Sequence, residues 1–269
     1  MIKADLHLHT RYSDGYNTVD DIIQKAVEVN LTHMAITDHD NLDGSDEKLS
    51  KAQAAGIKTI KSVEISTMDY ESNKIVHILG YNIRDEDPIR KICDPIKQMR
   101  NDKAQFQVKK LNELGFKIDY EELYNFANGY IFKQHIFETL YRTGQVESMF
   151  PSINETLFRY PGALYFKMDY IDVKDAIKAV KDAGAYAILA HPNQQNNIDT
   201  VDRTVKYGLD GIELNHESNQ SEYREIIKDY AKKYKLILTG GSDYHGAYAR
   251  RKDFIGSYLS EESGLQVFE

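Results

Sequence analysis

The sequence is short of several things, and each shortage removes a class of function. Cys93 is the only cysteine in 269 residues. No internal disulfide and no thiolate metal cluster can form, which suits a reducing compartment. No apolar run approaches the ~18 residues that a membrane span needs. The opening residues, MIKADLHLH, carry charge at Lys3 and Asp5 and lack the apolar core of a secretory signal. Basic residues are outnumbered, 34 Lys and Arg against 42 Asp and Glu, for a formal net charge of −8. A broad nucleic-acid groove draws its affinity from Lys and Arg on phosphates, so this balance disfavours a long strand as partner. A small phosphorylated substrate stays open, because bound cations can reverse the local field. Low-complexity tracts and short-period repeats are missing too. With 41% hydrophobic and 28% charged residues, the expectation is a cytoplasmic enzyme or binding domain built on one large core.

What is present is a rhythm of strand and helix signals. After an opening strand, Thr18 can cap a helix whose apolar positions, Val19, Ile22, Ile23, Ala26 and Val27, follow the helical period. Residues 32–37, 57–66 and 74–83 read as strands, with a helix over 45–55. The rhythm returns late: Asp172 caps a helix closed by Gly184, and 185–192, 211–214 and 235–243 read as strands. Repeated βα units imply a parallel sheet or barrel. From about Asp94 to Lys167 the alternation stops, and helices near 96–114, 119–127 and 133–142 replace it. The first carries Gln98, Arg100, Asn101, Asp102 and Lys103, so much of it is expected to face water. The expected division is therefore a barrel from 1–93 and 167–269, with a mostly helical insertion, 94–166, over its mouth.

Metal-binding residue types recur at the ends of these strands: His7, His9, Asp14, His39, Glu64, His77, His191, Asp243 and His245. Strand residues i and i+2 share a face, so His7 with His9, and Asp243 with His245, can each reach one point. In a barrel the C-terminal strand ends converge on one mouth. Imidazole and carboxylate together suit zinc, iron or manganese, and so many ligands exceed one ion and imply two or three. Singly each has a bland reading: a packed His-x-His pair, a solvated Glu64, a core His77. Jointly, on separate strands, they read as a metal centre. His33 lies early in its strand and reads as structural, whereas His216, after GIELN, could be structural or line the pocket.

The motifs DLHLHTRYSDG, ITDHD, SVEIS, HILGY, LAHP and GSDYHG resemble, in order, those of the PHP (polymerase and histidinol phosphatase) family of metal-dependent phosphoesterases. The likeness is greatest to the branch of nucleoside 3′,5′-bisphosphate phosphatases and 5′-3′ exonucleases, which carry a helical lobe at the same place. The resemblance implies a distorted (β/α)7 barrel with a trinuclear site. His7, His9, Glu64 and Asp243 would hold one ion, Glu64, His77 and His191 a second, and Asp14, His39 and His245 a third. It also implies phosphomonoester hydrolysis by metal-activated hydroxide, with Glu64, Asp243, His245 and His135 as catalytic candidates. The substrate expected is a nucleotide or nucleoside 3′,5′-bisphosphate. An exonuclease on short oligonucleotides and a histidinol-phosphate-type phosphatase are the alternatives, followed by a non-catalytic metal-stabilised module. The substrate-gripping motif departs from the family: FKQH places Lys133 where arginine is expected, ahead of His135. HPNQQ puts Asn193 after the HP pair, where relatives often carry an arginine. Arg250 and Arg251 are the candidate compensating cations.

Overall fold

The computed structural model describes residues 2–249 and 254–269. Its elements form where short-range chemistry asks for them. Thr18 caps α1 (Val19–Glu28) through a reciprocal pair: Asp21 N–H donates to Thr18 Oγ1 at 3.2 Å, and Thr18 N–H donates to Asp21 Oδ2 at 2.9 Å. The buried stripe of that helix is Val19, Ile22, Ile23 and Ala26. Asn30, just beyond it, turns the chain with φ of 57°.

Strand β1 (Ala4–Leu8) pairs in parallel with β2 (His33–Ile36). Helix α2 (Ser45–Ala54) then leads to β3 (Lys58–Thr59), which pairs with β2 to complete a three-stranded sheet. A six-stranded sheet follows, begun by β4 (Ser62–Asp69) and β5 (Lys74–Tyr81). Helices α3 (Asp87–Glu113), α4 (Tyr120–Phe126) and α5 (Lys133–Arg142) come next in the chain. The sheet resumes with β6 (Ile171–Asp172), followed by α6 (Val173–Asp182) and β7 (Tyr186–Leu189). The short α7 (Val201–Thr204), β8 (Gly211–Asn215), α8 (Ser221–Tyr234) and β9 (Ile237–Gly240) complete the order β6-β4-β5-β7-β8-β9.

Two features differ from a parallel barrel. Residues 57–66 split into β3 and β4, and β4 pairs antiparallel with β5, which pairs antiparallel with β7. The turn between β4 and β5 spans only residues 70–73, and so short a link permits only a hairpin. The strands also do not close into a hydrogen-bonded (β/α)7 barrel among the described residues. The two sheets touch through isolated bridges, Leu8 to Tyr244 and His39 to Glu64. Side chains replace the ladder at these seams. Asp5 accepts from Ser242 N–H at 2.9 Å, Ser242 Oγ at 2.7 Å and Gly256 N–H at 2.8 Å. Asp40 accepts from Ser66 N–H at 2.7 Å.

Helices α3 to α5 build a hydrophobic cluster of their own, including Leu111, Leu123, Ile136, Leu140 and Leu164. Helix α3 begins earlier than the periodicity suggested, at Asp87 with Pro88 in its first turn. Its Arg100 does not face water: the side chain is 13% exposed and bonded to Asp40 Oδ2 at 3.1 Å.

The seam between β1 and the end of β9 is close enough to forbid a side chain at Gly241, where an added Cβ would sit 2.3 Å from His7 Cβ and 2.4 Å from His7 N. Gly241→Ala is expected to destabilise the protein by about 1–3 kcal/mol in urea denaturation. An unchanged midpoint would show that the seam is looser than this.

Candidate metal centre

Glu64 lies near the start of β4, 1% exposed, and is the hub of the cluster. Its Oε2 is 3.0 Å from His7 Nε2, 3.2 Å from His9 Nε2 and 3.4 Å from His39 Nδ1. Its Oε1 is 2.7 Å from His77 Nδ1 and 2.8 Å from His191 Nε2. The carboxylate therefore turns one oxygen to each of two groups of imidazoles. His7 reaches it from β1 and His9 from just beyond that strand, and His77 lies across the ladder on β5.

Asp243 and His245 enter from the loop after β9. Asp243 Oδ1 is 3.1 Å from His9 Nε2 and 3.4 Å from His7 Nε2. His245 Nε2 is 3.3 Å from Asp14 Oδ1, which is 3.8 Å from His9 Nδ1 and 4.0 Å from His39 Nε2. Three sets bring one donor atom per residue within 4.8 Å of each other: His7, His9, Glu64 and Asp243; His9, Asp14, His39 and His245; and His39, Glu64 and His77. Two of these sets are the expected ones, the second enlarged by His9. In the third, His39 stands with Glu64 and His77, while His191 remains at 2.8 Å from the same Glu64 oxygen.

The donor set fits metal ions on its hydrogen bonding. Both ring nitrogens of His9, His39 Nδ1, His191 Nδ1, Asp14 Oδ1 and Asp243 Oδ1 are buried without a hydrogen-bond partner in the protein. Buried polar atoms are almost always satisfied, and His9, Asp14, His39 and Asp243 each offer an atom to one of the converging donor sets. Backbone strain marks the same residues: His191 and Asp243 hold φ at 23° and 49°, a region costly for residues other than glycine and concentrated at functional sites.

The electrostatics agree. Burial alone would lift the Glu64, Asp14 and Asp243 carboxyls, but the surrounding imidazoles outweigh it and hold all three below their ordinary range. Burial would lower His245, yet Asp14 and Asp243 beside it hold it up at about 10. His39 is pushed down to about 3, chiefly by burial, which leaves its ring neutral.

Sequence reasoning overlooked two supporting groups, Glu213 and Gln134, and left His216 open. Glu213, fully buried on β8, accepts from His7 Nδ1–H at 3.0 Å and from His191 N–H at 2.7 Å. It orients one ligand and fixes its tautomer, as outer carboxylates do in metal sites. The signal was there in GIELN, a glutamate in an otherwise apolar strand ending at the same mouth. Gln134 Nε2 donates to Asp14 Oδ2 at 3.1 Å, and His216 Nε2 sits 3.4 Å from Asp243 Oδ2. His33 stands apart, edge-on to Phe268.

The expected substrate contacts are placed unevenly. His135 is buried; its Nδ1 accepts the Phe132 N–H at 3.0 Å, and burial pushes its pKa down to about 4. Lys133 lines a 280 Å³ pocket that also contains Asp14, His39 and His77. Asn193 is turned to the loop after β8, donating to Ser218 O. Arg250 and Arg251 lie outside the described residues.

An α/β scaffold that gathers nitrogen and oxygen donors around one buried carboxylate, beside a cationic pocket, is that of a metal-dependent phosphoesterase. The PHP domain family model matches residues 5–239, and the chain belongs to that family. It is 30% identical to a phosphoribosyl 1,2-cyclic phosphate 1,2-diphosphodiesterase of Eggerthella lenta, over 91% of this chain and 95% of that protein. A 5′-3′ exoribonuclease of Haemophilus influenzae is 29% identical over 90% of each chain. Among solved structures, a protein described as a metal-dependent phosphoesterase from Bifidobacterium adolescentis matches with a TM-score of 0.87 at 25% identity, covering 98% of this chain and 94% of that one.

The pKa shifts make a prediction for the metal-free protein. His245 is raised in the fold, so its contribution to stability is complete below about 6.5 and is lost as pH rises toward 10. Metal binding needs unprotonated imidazoles, so its stabilisation should grow over the same interval. Thermal melts with and without divalent metal should diverge from pH 6.5 to 10; parallel curves would contradict the assignment.

Proposed function

We propose that the protein hydrolyses a small phosphomonoester, a nucleotide or nucleoside 3′,5′-bisphosphate, at a site loaded with two or three divalent ions (manganese, zinc or iron). The convergence of unpaired buried donors on Glu64, with a small cationic pocket opening beside them, carries this reading. Divalent ions in such a site supply Lewis-acid chemistry, acidifying water and neutralising charge on a phosphoryl group. Glu64, Asp243 and Asp14 provide the carboxylates for them, and His7, His9, His39, His77, His191 and His245 the imidazoles. Helices α3 (from residue 94 on), α4 and α5, in the insertion 94–166, would cover the mouth.

The remaining groups position. Glu213 takes the Nδ1 proton of His7, which presents the Nε2 lone pair toward Glu64 and Asp243. His135 is neutral near pH 7, and because its Nδ1 accepts a backbone N–H, its ring proton lies on Nε2. That proton is available to a phosphoryl or leaving-group oxygen. Phosphoryl transfer asks for little more than positioning and charge neutralisation.

Two observations favour a small substrate over an oligonucleotide. The 280 Å³ pocket lies just below the range of about 300–1,000 Å³ for small-molecule sites, and the chain carries a net charge of −8. A cyclic phosphodiester of a phosphorylated sugar is the second reading, favoured by the length and identity of the match to the Eggerthella lenta protein.

Phosphate release should be measured on a nucleoside 3′,5′-bisphosphate and a phosphoribosyl 1,2-cyclic phosphate, and mononucleotide release on a short 5′-phosphorylated oligoribonucleotide. The bisphosphate is expected to be turned over best. Metal-replete Asp243→Ala should fall to background on all three. Full activity in that variant, or preference for the oligonucleotide, would overturn this reading.

A further inference from the structure

Helix α5 grips two of the loops that carry candidate metal ligands, and it does so from one face. Gln134 and Glu138 are one turn apart on that helix. Gln134 Nε2 donates to Asp14 Oδ2 at 3.1 Å. Glu138, 2% exposed, accepts through Oε2 from the hydroxyl of Tyr248, three residues beyond His245. Burial and the Glu138 carboxylate both resist ionisation of that hydroxyl, which keeps it the donor. Arg142 pairs with Glu138 Oε1 at 2.5 Å, so the buried carboxylate is met on both oxygens.

The two loops are bonded to each other as well. Tyr16 N–H donates to His245 O at 3.0 Å, and the Tyr244 hydroxyl donates to Asn17 Oδ1 at 3.0 Å. Asp14 and His245 share one donor set with His9 and His39, so α5 is tied to the chain beside two of its four members. His135 follows Gln134 on the same helix. Its ring meets those of Tyr248, Phe126 and Phe132 nearly edge-on, with centroids 5.7, 6.0 and 6.2 Å away. Phe126 and Phe132 come from α4 and the segment before α5, whereas Tyr248 comes from the His245 loop. A fastener serving stability alone would do as well elsewhere on the sheets; both contacts fall on the loops of one donor set.

Resting on the reading of the cluster as a phosphoesterase metal centre, we propose that Glu138 and Tyr248 are positioning residues, whose hydrogen bond sets His135 against the donors His9, Asp14, His39 and His245. Tyr248 acts through the His245 loop on one side and through the His135 ring on the other. The seating of α5 and the affinity of this donor set for an ion are then coupled. Misplacement by a fraction of an ångström in such an arrangement is enough to cost rate.

Tyr248→Phe removes the hydroxyl and keeps the ring, whereas Glu138→Gln keeps an acceptor for it. In calorimetric titration of metal-free protein with Mn²⁺, Tyr248→Phe should bind one ion about tenfold more weakly and the others unchanged. On metal-saturated protein its kcat for adenosine 3′,5′-bisphosphate should fall about tenfold with KM little altered. Glu138→Gln should retain most of both. Wild-type affinities in Tyr248→Phe, equal weakening of every ion, or a Glu138→Gln variant as impaired as Tyr248→Phe would overturn the proposal. If the wild type does not turn over the bisphosphate, the proposed function fails separately and the Mn²⁺ titration alone decides the latch. If it binds no Mn²⁺, amide exchange along α5 decides: about tenfold faster exchange in Tyr248→Phe supports the latch, and equal exchange refutes it.

Discussion

Glu64 is a carboxylate taken almost wholly out of water and surrounded by five imidazoles within 3.4 Å of its two oxygens. Much of the structure serves that crowding. A buried carboxylate is stable only when its lone pairs are occupied by charge or donors, and these imidazoles come from β1, β5 and the loops after β2 and β7. The strands must therefore end at one mouth, in register, before the residue is tolerable there. His7, His77 and His191 meet it in hydrogen bonds, whereas His9 Nε2 and His39 Nδ1 do not, and cations shared among these donors would complete the arrangement.

A second tier of buried acids fixes the loops that carry the ligands. Asp5 binds the segment leading to Asp243 through Ser242. Asp38 accepts from Thr10 N–H, Thr10 Oγ1 and Ser13 Oγ, each at 2.7 Å, and pairs with Lys48 at 2.7 Å; it thereby shapes the turn that presents Asp14. Asp40 joins β4 to Arg100, and Glu213 braces His7 and His191. The acidic balance of the chain is thus partly internal. Charges that look like surface composition are structural fasteners, each meeting several donors, which is the condition for burying a carboxylate at acceptable cost.

The candidate ligands were legible because strand geometry places i and i+2 on one face and βα units bring strand ends together; the grouping of His7, His9, Asp243 and His245 follows from that alone. The sheet was less legible. Nothing in the alternation of SVEIS and KIVHILGY distinguishes antiparallel from parallel neighbours, and only the short link between them does. Nor did composition reveal that the seams close through Asp5 and Asp40 rather than through backbone. Arg100 and Lys103 were read as solvated because a polar helix face usually is. The burial of Arg100 depends on Phe132 and Tyr170, distant in sequence, lying against its guanidinium. Glu213 escaped notice because a single acid in a strand carries no pattern of its own.

The donors around Glu64 can be completed by metal ions or can satisfy one another as a self-contained network of ion pairs, and the proposed function requires the first. Anomalous diffraction at the manganese edge, from crystals grown with Mn²⁺, tests it most directly. Two or three peaks are predicted, with metal at coordinating distance from both oxygens of Glu64 and from the His7, His9 and Asp243 side chains. Manganese absent from this cluster, with Glu64 still hydrogen-bonded only to imidazoles, would contradict it.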